Sequence, residues 1–192
     1  METLVDKERF AGLARDLALP VPPSQRLDPT RDAPDELELR FPLVVKPLVR
    51  DHARWSPFGA SAKAVGVTSP ASLAALWPRL QTLRVAVLAQ ELIAGPESNI
   101  ETYHSYIDDD GAVVAEFAGR KIRTRPRHFG HTTALRITAE PDVIGLGREI
   151  LGTLGLRGVA KVDFKRGQDG RLHLLEVNPA STFGTIPALL PG

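Results

Sequence analysis

Lys161, Asp163, Glu176 and Asn178 concentrate more chemistry than any other group in this chain, because they sit on two apolar stretches joined by a short glycine-containing turn. Val159 to Arg166 and Arg171 to Asn178 read as strands, and Asp169-Gly170 between them reads as a two-residue type I′ turn. Such a hairpin sets Asp163 opposite Glu176 and Lys161 opposite Asn178. Strand alternation puts these four on one face and Val162, Phe164, Leu175 and Val177 on the other. Directly opposed side chains have Cβ atoms about 5 Å apart, so two carboxylates placed this way repel each other unless a cation lies between them. With an amide oxygen beside them they form a hard oxygen set of the kind Mg²⁺ accepts alongside phosphate oxygens. The same residues also fit a solvated strand face on which Lys161 and Lys165 neutralise the acids.

Other charged residues stand in places that ask for a partner. Lys46 ends the apolar run Pro42-Leu43-Val44-Val45 just before Pro47, a position for a cation with an anionic neighbour. Glu97 follows a Gly-Pro turn at the end of the apolar run Val85 to Ala89. Arg120 to Arg127 is basic and reads equally as a phosphate- or carboxylate-holding run and as a solvated loop; no aromatic residues interleave it, which disfavours nucleic acid. His128 and His131 lack an evident third ligand, and Asp108 to Asp110 is a turn rather than a metal site.

These residues need elements to position them. Phe10, Leu13, Ala14 and Leu17 recur at helical spacing behind Asp6 as a cap, and Pro20, Pro22 and Pro23 end that helix. Residues 24–40 read as loop or weak edge structure, Pro42 to Pro47 and Ala62 to Val67 as strands, and Ser69-Pro70 as the start of a helix with Leu73, Leu76, Trp77 and Leu80 as its stripe. Val85 to Ala89 is a buried-type strand. Asn99 to Ile107 and Ala112 to Ala118 form a hairpin around Asp108 to Gly111, and Pro141 to Leu154 is an amphipathic helix. The order implies two α+β lobes meeting near residues 88–97, divided as 1–84 and 85–179 with 180–192 as a tail.

Composition narrows the class. In 192 residues there is no Cys, which excludes a disulfide scaffold, a thiolate metal site and a cysteine nucleophile. Lys and Arg number 24 against 23 Asp and Glu, a formal net charge of +1, so no global field points to nucleic acid. The apolar runs fall well short of the ~20 residues of a membrane span, and the N-terminus lacks a signal-peptide pattern, so the cytoplasm is the expected compartment.

Taken in order, Asp6-Lys7, Phe41 to Pro47, Gln90 to Glu97, Gly158 to Asp163 and Leu175 to Pro179 resemble the ATP-grasp superfamily over nearly the whole chain as far as Pro179. With Gly119-Arg120-Lys121-Ile122-Arg123, the sequence looks most like bacterial carboxylate–amine ligases of that superfamily. The resemblance implies an α+β ATP-grasp fold with a nucleotide between two lobes, ATP and Mg²⁺ (or Mn²⁺) as cofactors, and a small-molecule carboxylate and amine as substrates. It implies that Lys7, Lys46 and Lys63 contact ATP phosphates, and that Gln90, Glu91 and the backbone of Ile93 bind the adenine edge. Glu97 would take the ribose hydroxyls, and Asp163, Glu176 and Asn178 would hold the metal. Arg120, Arg123 and Lys161 are the candidates for holding the acyl phosphate or the substrate carboxylate.

Two departures from that pattern carry expectations of their own. The family has another α/β domain before the Asp-Lys helix, and an Arg where this chain has Ala180. Read one nucleotide along, every codon from Ser181 onward can encode the aromatic- and histidine-rich segment the family carries there, so a nucleotide missing near codon 180 is expected. The function expected is ATP- and Mg²⁺-dependent ligation of a carboxylate to an amine; the alternative is a truncated, catalytically silent module that binds Mg·ATP. The residues do not speak to the acceptor's identity or to oligomeric state.

Overall fold

A computed structural model of the chain describes residues 7–48, 55, 64–125 and 129–179. Asp6, Lys63, Arg127, His128 and the tail from Ala180 lie outside the described residues. Helix α1 (Lys7–Asp16) buries Ala14 and lays Phe10 on the second core described below. Its chain then reverses at Ala18, which has a φ of 52°, before the prolines.

The first sheet contains β1 (Ser24–Leu27), β2 (Leu43–Pro47), β3 (Val65–Val67) and β4 (Val87–Glu91) in the order β1-β4-β2-β3, every pair antiparallel. Helix α2 (Pro70–Leu83) covers one face. Ser69 caps it in a capping box with Ser72, Pro70 occupies the first turn, and Arg84 closes it in the left-handed region at φ 49°. Leu73, Trp77 and Leu80 bury their side chains against Leu27, Leu43, Val45, Val87 and Ala89, each worth roughly 2 kcal/mol of apolar transfer. The sequence division after residue 84 puts β4 with the second lobe. Pairing instead sets it between β1 and β2, so the change of sheet falls after Glu91.

The second sheet contains β5 (Ile100–Ile107), β6 (Val113–Arg125), β7 (His131–Thr138), β8 (Gly158–Arg166) and β9 (Leu172–Pro179), in the order β7-β6-β5-β8-β9 and again all antiparallel. Helix α3 (Pro141–Thr153) packs Val143, Ile150 and Leu151 on Tyr103, Val162, Phe164 and Leu174. Gly147 is where helix and sheet come closest: a Cβ there would lie 2.3 Å from the Tyr103 ring. β6 runs past Ala118 to Arg125, so the basic run is strand as far as the described residues follow it, and β7 is a strand that the sequence reading lacks.

The hairpin that carries the acids departs from the expected turn. Gly170 N–H donates to the Gly167 carbonyl at 3.1 Å and Gly167 N–H to the Arg171 carbonyl at 2.8 Å, so Gln168, Asp169 and Gly170 span the loop. Gly170 adopts φ 80°, the left-handed residue that ends a three-residue turn. The longer loop shifts the register by one, and a bulge between Asp163 and Phe164 shifts it back. Asp163 therefore pairs with Glu176 and Lys161 with Asn178, whereas Leu174 rather than Leu175 faces Phe164 and is fully buried.

Candidate functional site

Each sheet gives one face to its helix and leaves the other for chemistry. On the first sheet, Leu43, Val45, Val87 and Ala89 take the helix side, so alternation turns Val44, Lys46, Leu88 and Gln90 the opposite way. Lys46 Nζ donates to Gln90 Oε1 at 2.8 Å, and Gln90 is buried. Burial of the Lys46 ammonium pushes its pKa down to about 8; Glu176 on β9 pulls it up and Lys7 on α1 pushes it further down. Lys46 thus feels both a cation on α1 and an acid on the second sheet. Lys7 Nζ is anchored by donating to the Pro47 carbonyl at 2.7 Å, which holds α1 against the end of β2.

On the second sheet the face away from α3 carries Thr102 and His104 from β5, Gly119 and Lys121 from β6, and Lys161 and Asp163 from β8. Asp163 is 5% exposed. Its Oδ2 lies 2.9 Å from Lys161 Nζ and 3.5 Å from Lys121 Nζ. Its Oδ1 is buried with no hydrogen-bond partner, and the hydroxyl of Thr102, the residue opposite it on β5, is buried and unpartnered too. A buried carboxylate oxygen without a donor is costly, and a cation is the ligand that would satisfy it. Among the described residues no cluster of three or more His, Cys, Asp or Glu exists. Two carboxylates and the Asn178 amide, completed by phosphate oxygens and water, are a donor set that suits Mg²⁺ and not a soft metal. The residues fit the ion.

Nearer the turn, Lys165 is also buried and donates to the Gly95 carbonyl at 2.8 Å. Burial pushes its pKa down, opposed by Glu97. Glu97 accepts from the Phe129 N–H at 2.6 Å and from the Thr124 hydroxyl, so its carboxylate is fixed in place. The N–H of Ile93 donates to no group among the described residues and remains available for an acceptor. The open hollow lined by Asp28, Thr30, Gln81, Arg84 and Ala86 lies at the other end of β4 and holds none of these groups.

The face on which each residue lies separates the sequence candidates. Lys46, Gln90, Asp163, Glu176, Asn178 and Lys161 come together as expected, with Lys7 and Glu97 at the margins. Glu91 does not: its carboxylate points to the helix side and is held by the Arg40 backbone and guanidinium at 3.0–3.2 Å, which lowers its pKa. Only its backbone is left for a base edge. Arg120 is likewise on the wrong face. It binds buried Glu101 at 2.6 Å and Glu140 at 3.1 Å, in a network that Arg166 extends to Asp142. Arg123 lies past a bulge, exposed, donating to Thr133 Oγ1 at 3.0 Å. Sequence reasoning missed Lys121. The signal was Glu101, an acid that alternation sets on the same face as Tyr103 and Ile107; once it claims Arg120, the neighbouring Lys121 must take the other face.

No family model matches the chain. It is 28% identical over 190 residues to a D-alanine–D-alanine ligase B of Chromobacterium violaceum, covering 91% of this chain and 56% of that protein. The chain spans about half the length of the curated relatives it matches. Among solved structures, the ADP complex of an N5-carboxyaminoimidazole ribonucleotide synthetase superposes with a TM-score of 0.71 at 15% identity, over 93% of this chain and 45% of that one. The ATP-grasp ligase PsnB, solved with minimal precursor, Mg and ADP, superposes with a TM-score of 0.58 at 24% identity, over 94% and 52%. The fold is the ATP-grasp fold, and the chain resembles ATP-grasp carboxylate–amine ligases. No helix among the described residues is long and apolar enough to cross a membrane.

Proposed function

We propose that this chain binds Mg·ATP between its two sheets and is the nucleotide-binding part of a ligase that joins a small carboxylate to an amine. The observation that carries this reading is the buried, unpartnered Oδ1 of Asp163, with Glu176 directly opposite and Lys46 drawn to Glu176 from the other sheet. Lys7 and Lys46 hold phosphate oxygens as point charges. The Gln90 side chain and the Ile93 N–H take the base edge, and Glu97 the ribose hydroxyls. Asp163, Glu176 and Asn178 would hold Mg²⁺, which when bound neutralises charge on the phosphoryl oxygens.

The chain supplies positioning and charge rather than a nucleophile of its own. A carboxylate oxygen of the acceptor attacks the γ-phosphorus and ADP leaves. The amine nitrogen then attacks the carbonyl carbon of the acyl phosphate, loses a proton and displaces phosphate. Lys161 and Lys121, both on the acid's face of the sheet, orient the transferring group and offset its charge. The curated relatives and the solved neighbours support this reading, and the substrates of this chain are part of the proposal.

Calorimetric titration with ATP, with and without Mg²⁺, tests it. Binding is expected to require Mg²⁺ and to weaken at least about tenfold in Asp163→Asn and Glu176→Ala, the loss expected of a charged ligand. Mg²⁺-independent binding that both variants keep sinks the metal assignment. ADP release that depends on adding both a carboxylate and an amine distinguishes ligation from nucleotide binding alone.

A further inference from the structure

The site face of β8 is ordered from one end to the other. Lys165 stands beside Gly95 and Glu97, Asp163 opposite Glu176, Lys161 opposite Asn178, and Val159 beyond them. On the reading proposed above, on which this inference rests, these positions follow the nucleoside, the metal and the transferring phosphoryl group. The acceptor oxygen attacks roughly in line with the leaving group, so the acceptor lies past Lys161, towards Val159.

That region is apolar and aromatic. His104, opposite Lys161, stacks on Phe117 with ring centroids 4.4 Å apart and planes 7° from parallel. Tyr106, opposite Val159, continues the same face towards that end. Tyr106 is 39% exposed, Phe117 37% and Val159 49%. A surface of this kind next to charged catalytic groups serves recognition more often than solvation. Carboxylates of two or three carbons would leave the stacked pair uncovered.

We infer that the acceptor carboxylate carries a bulky apolar or aromatic substituent, as in an arylalkanoic acid or a large apolar amino acid, which packs on the His104–Phe117 pair beside Lys161. The test uses the whole chain loaded with Mg²⁺ and a non-hydrolysable ATP analogue, with acid binding read by calorimetry so that turnover is not needed. 3-Phenylpropanoate is expected to bind at least about tenfold more tightly than propanoate or succinate, the discrimination an added apolar group brings in a fitted site. Phe117→Ala should bring that ratio down to about one, and Phe117→Leu should keep part of it. A thermal melt of each variant verifies that it is folded. Equal or reversed preference, a preference that survives Phe117→Ala, or loaded chain that binds none of the acids overturns the inference. Failure of the analogue itself to bind with Mg²⁺ overturns the functional reading beneath it, which is a different result.

Discussion

Raising the pH from 7 to 9 should weaken Mg·ATP binding through Lys46. With its pKa pushed down to about 8 by burial, Lys46 is about 90% charged at pH 7, half charged at pH 8 and about 10% charged at pH 9. A bound triphosphate brings more negative charge to the ammonium than Glu176 alone, so the nucleotide selects the protonated form. The apparent dissociation constant should therefore rise about tenfold between pH 7 and pH 9, and binding at pH 8 should take up about half a proton. Calorimetry at pH 8 with a non-hydrolysable analogue, in two buffers of different ionisation enthalpy, measures that uptake. Lys46→Arg keeps its charge throughout this range, so its pH dependence should be flat and its proton uptake close to zero. If Lys46→Arg keeps the wild-type dependence, or wild type takes up no proton at pH 8, then Lys46 is not the phosphate-holding cation described.

The same group sets the sign of a stability effect in the absence of nucleotide. The unfolded chain holds the Lys46 proton up to about pH 10.5 and the folded chain only to about 8, so stability should increase as pH rises through that window, and Lys46→Met should reduce the slope of the urea midpoint against pH, leaving the part that buried Lys165 supplies. Arg120 and Lys121 should separate cleanly. Arg120→Ala leaves buried Glu101 with Arg166 as its remaining partner, costing about 1.5 kcal/mol and several degrees of Tm while the folded protein keeps its nucleotide affinity. Lys121→Ala should do the reverse, lowering affinity for Mg·ATP with little change in Tm. Gly147→Ala forces a methyl into the Tyr103 ring, and a loss of at least about 2 kcal/mol in a denaturant titration is expected; a neutral result would contradict the helix placement.

The acidic hairpin was legible because its contacts are local, yet it was read through two displacements that cancel. The turn is one residue longer than the expected form, and the bulge after Asp163 restores the register at the acids. The pairing of Asp163 with Glu176 survives this, while the residues between the bulge and the turn do not, which is why Leu174 replaces Leu175 in the core. The helix starting at Ser69 was equally readable, since its cap and first-turn proline are neighbours in the chain. β7 was missed although Leu135 and Ile137 alternate with polar residues, because its partner among the described residues is the outer part of β6, itself readable as loop.

By itself the sequence determined which residue types were available, the helices with their caps, and the Asp163–Glu176 pair, because turns, caps and alternation act over a few residues. Tertiary structure alone decided which neighbour of a pair faces the site. Buried Glu101 drew Arg120 to the α3 side and turned Lys121 towards Asp163, and Arg40 drew the Glu91 carboxylate away from Gln90. It also placed β4 in the first sheet and brought Lys46 within the field of both Glu176 and Lys7. The physical reason is that alternation dictates that neighbours in a strand take opposite faces, but the choice of face is made by burial and charge pairing between elements far apart in the chain.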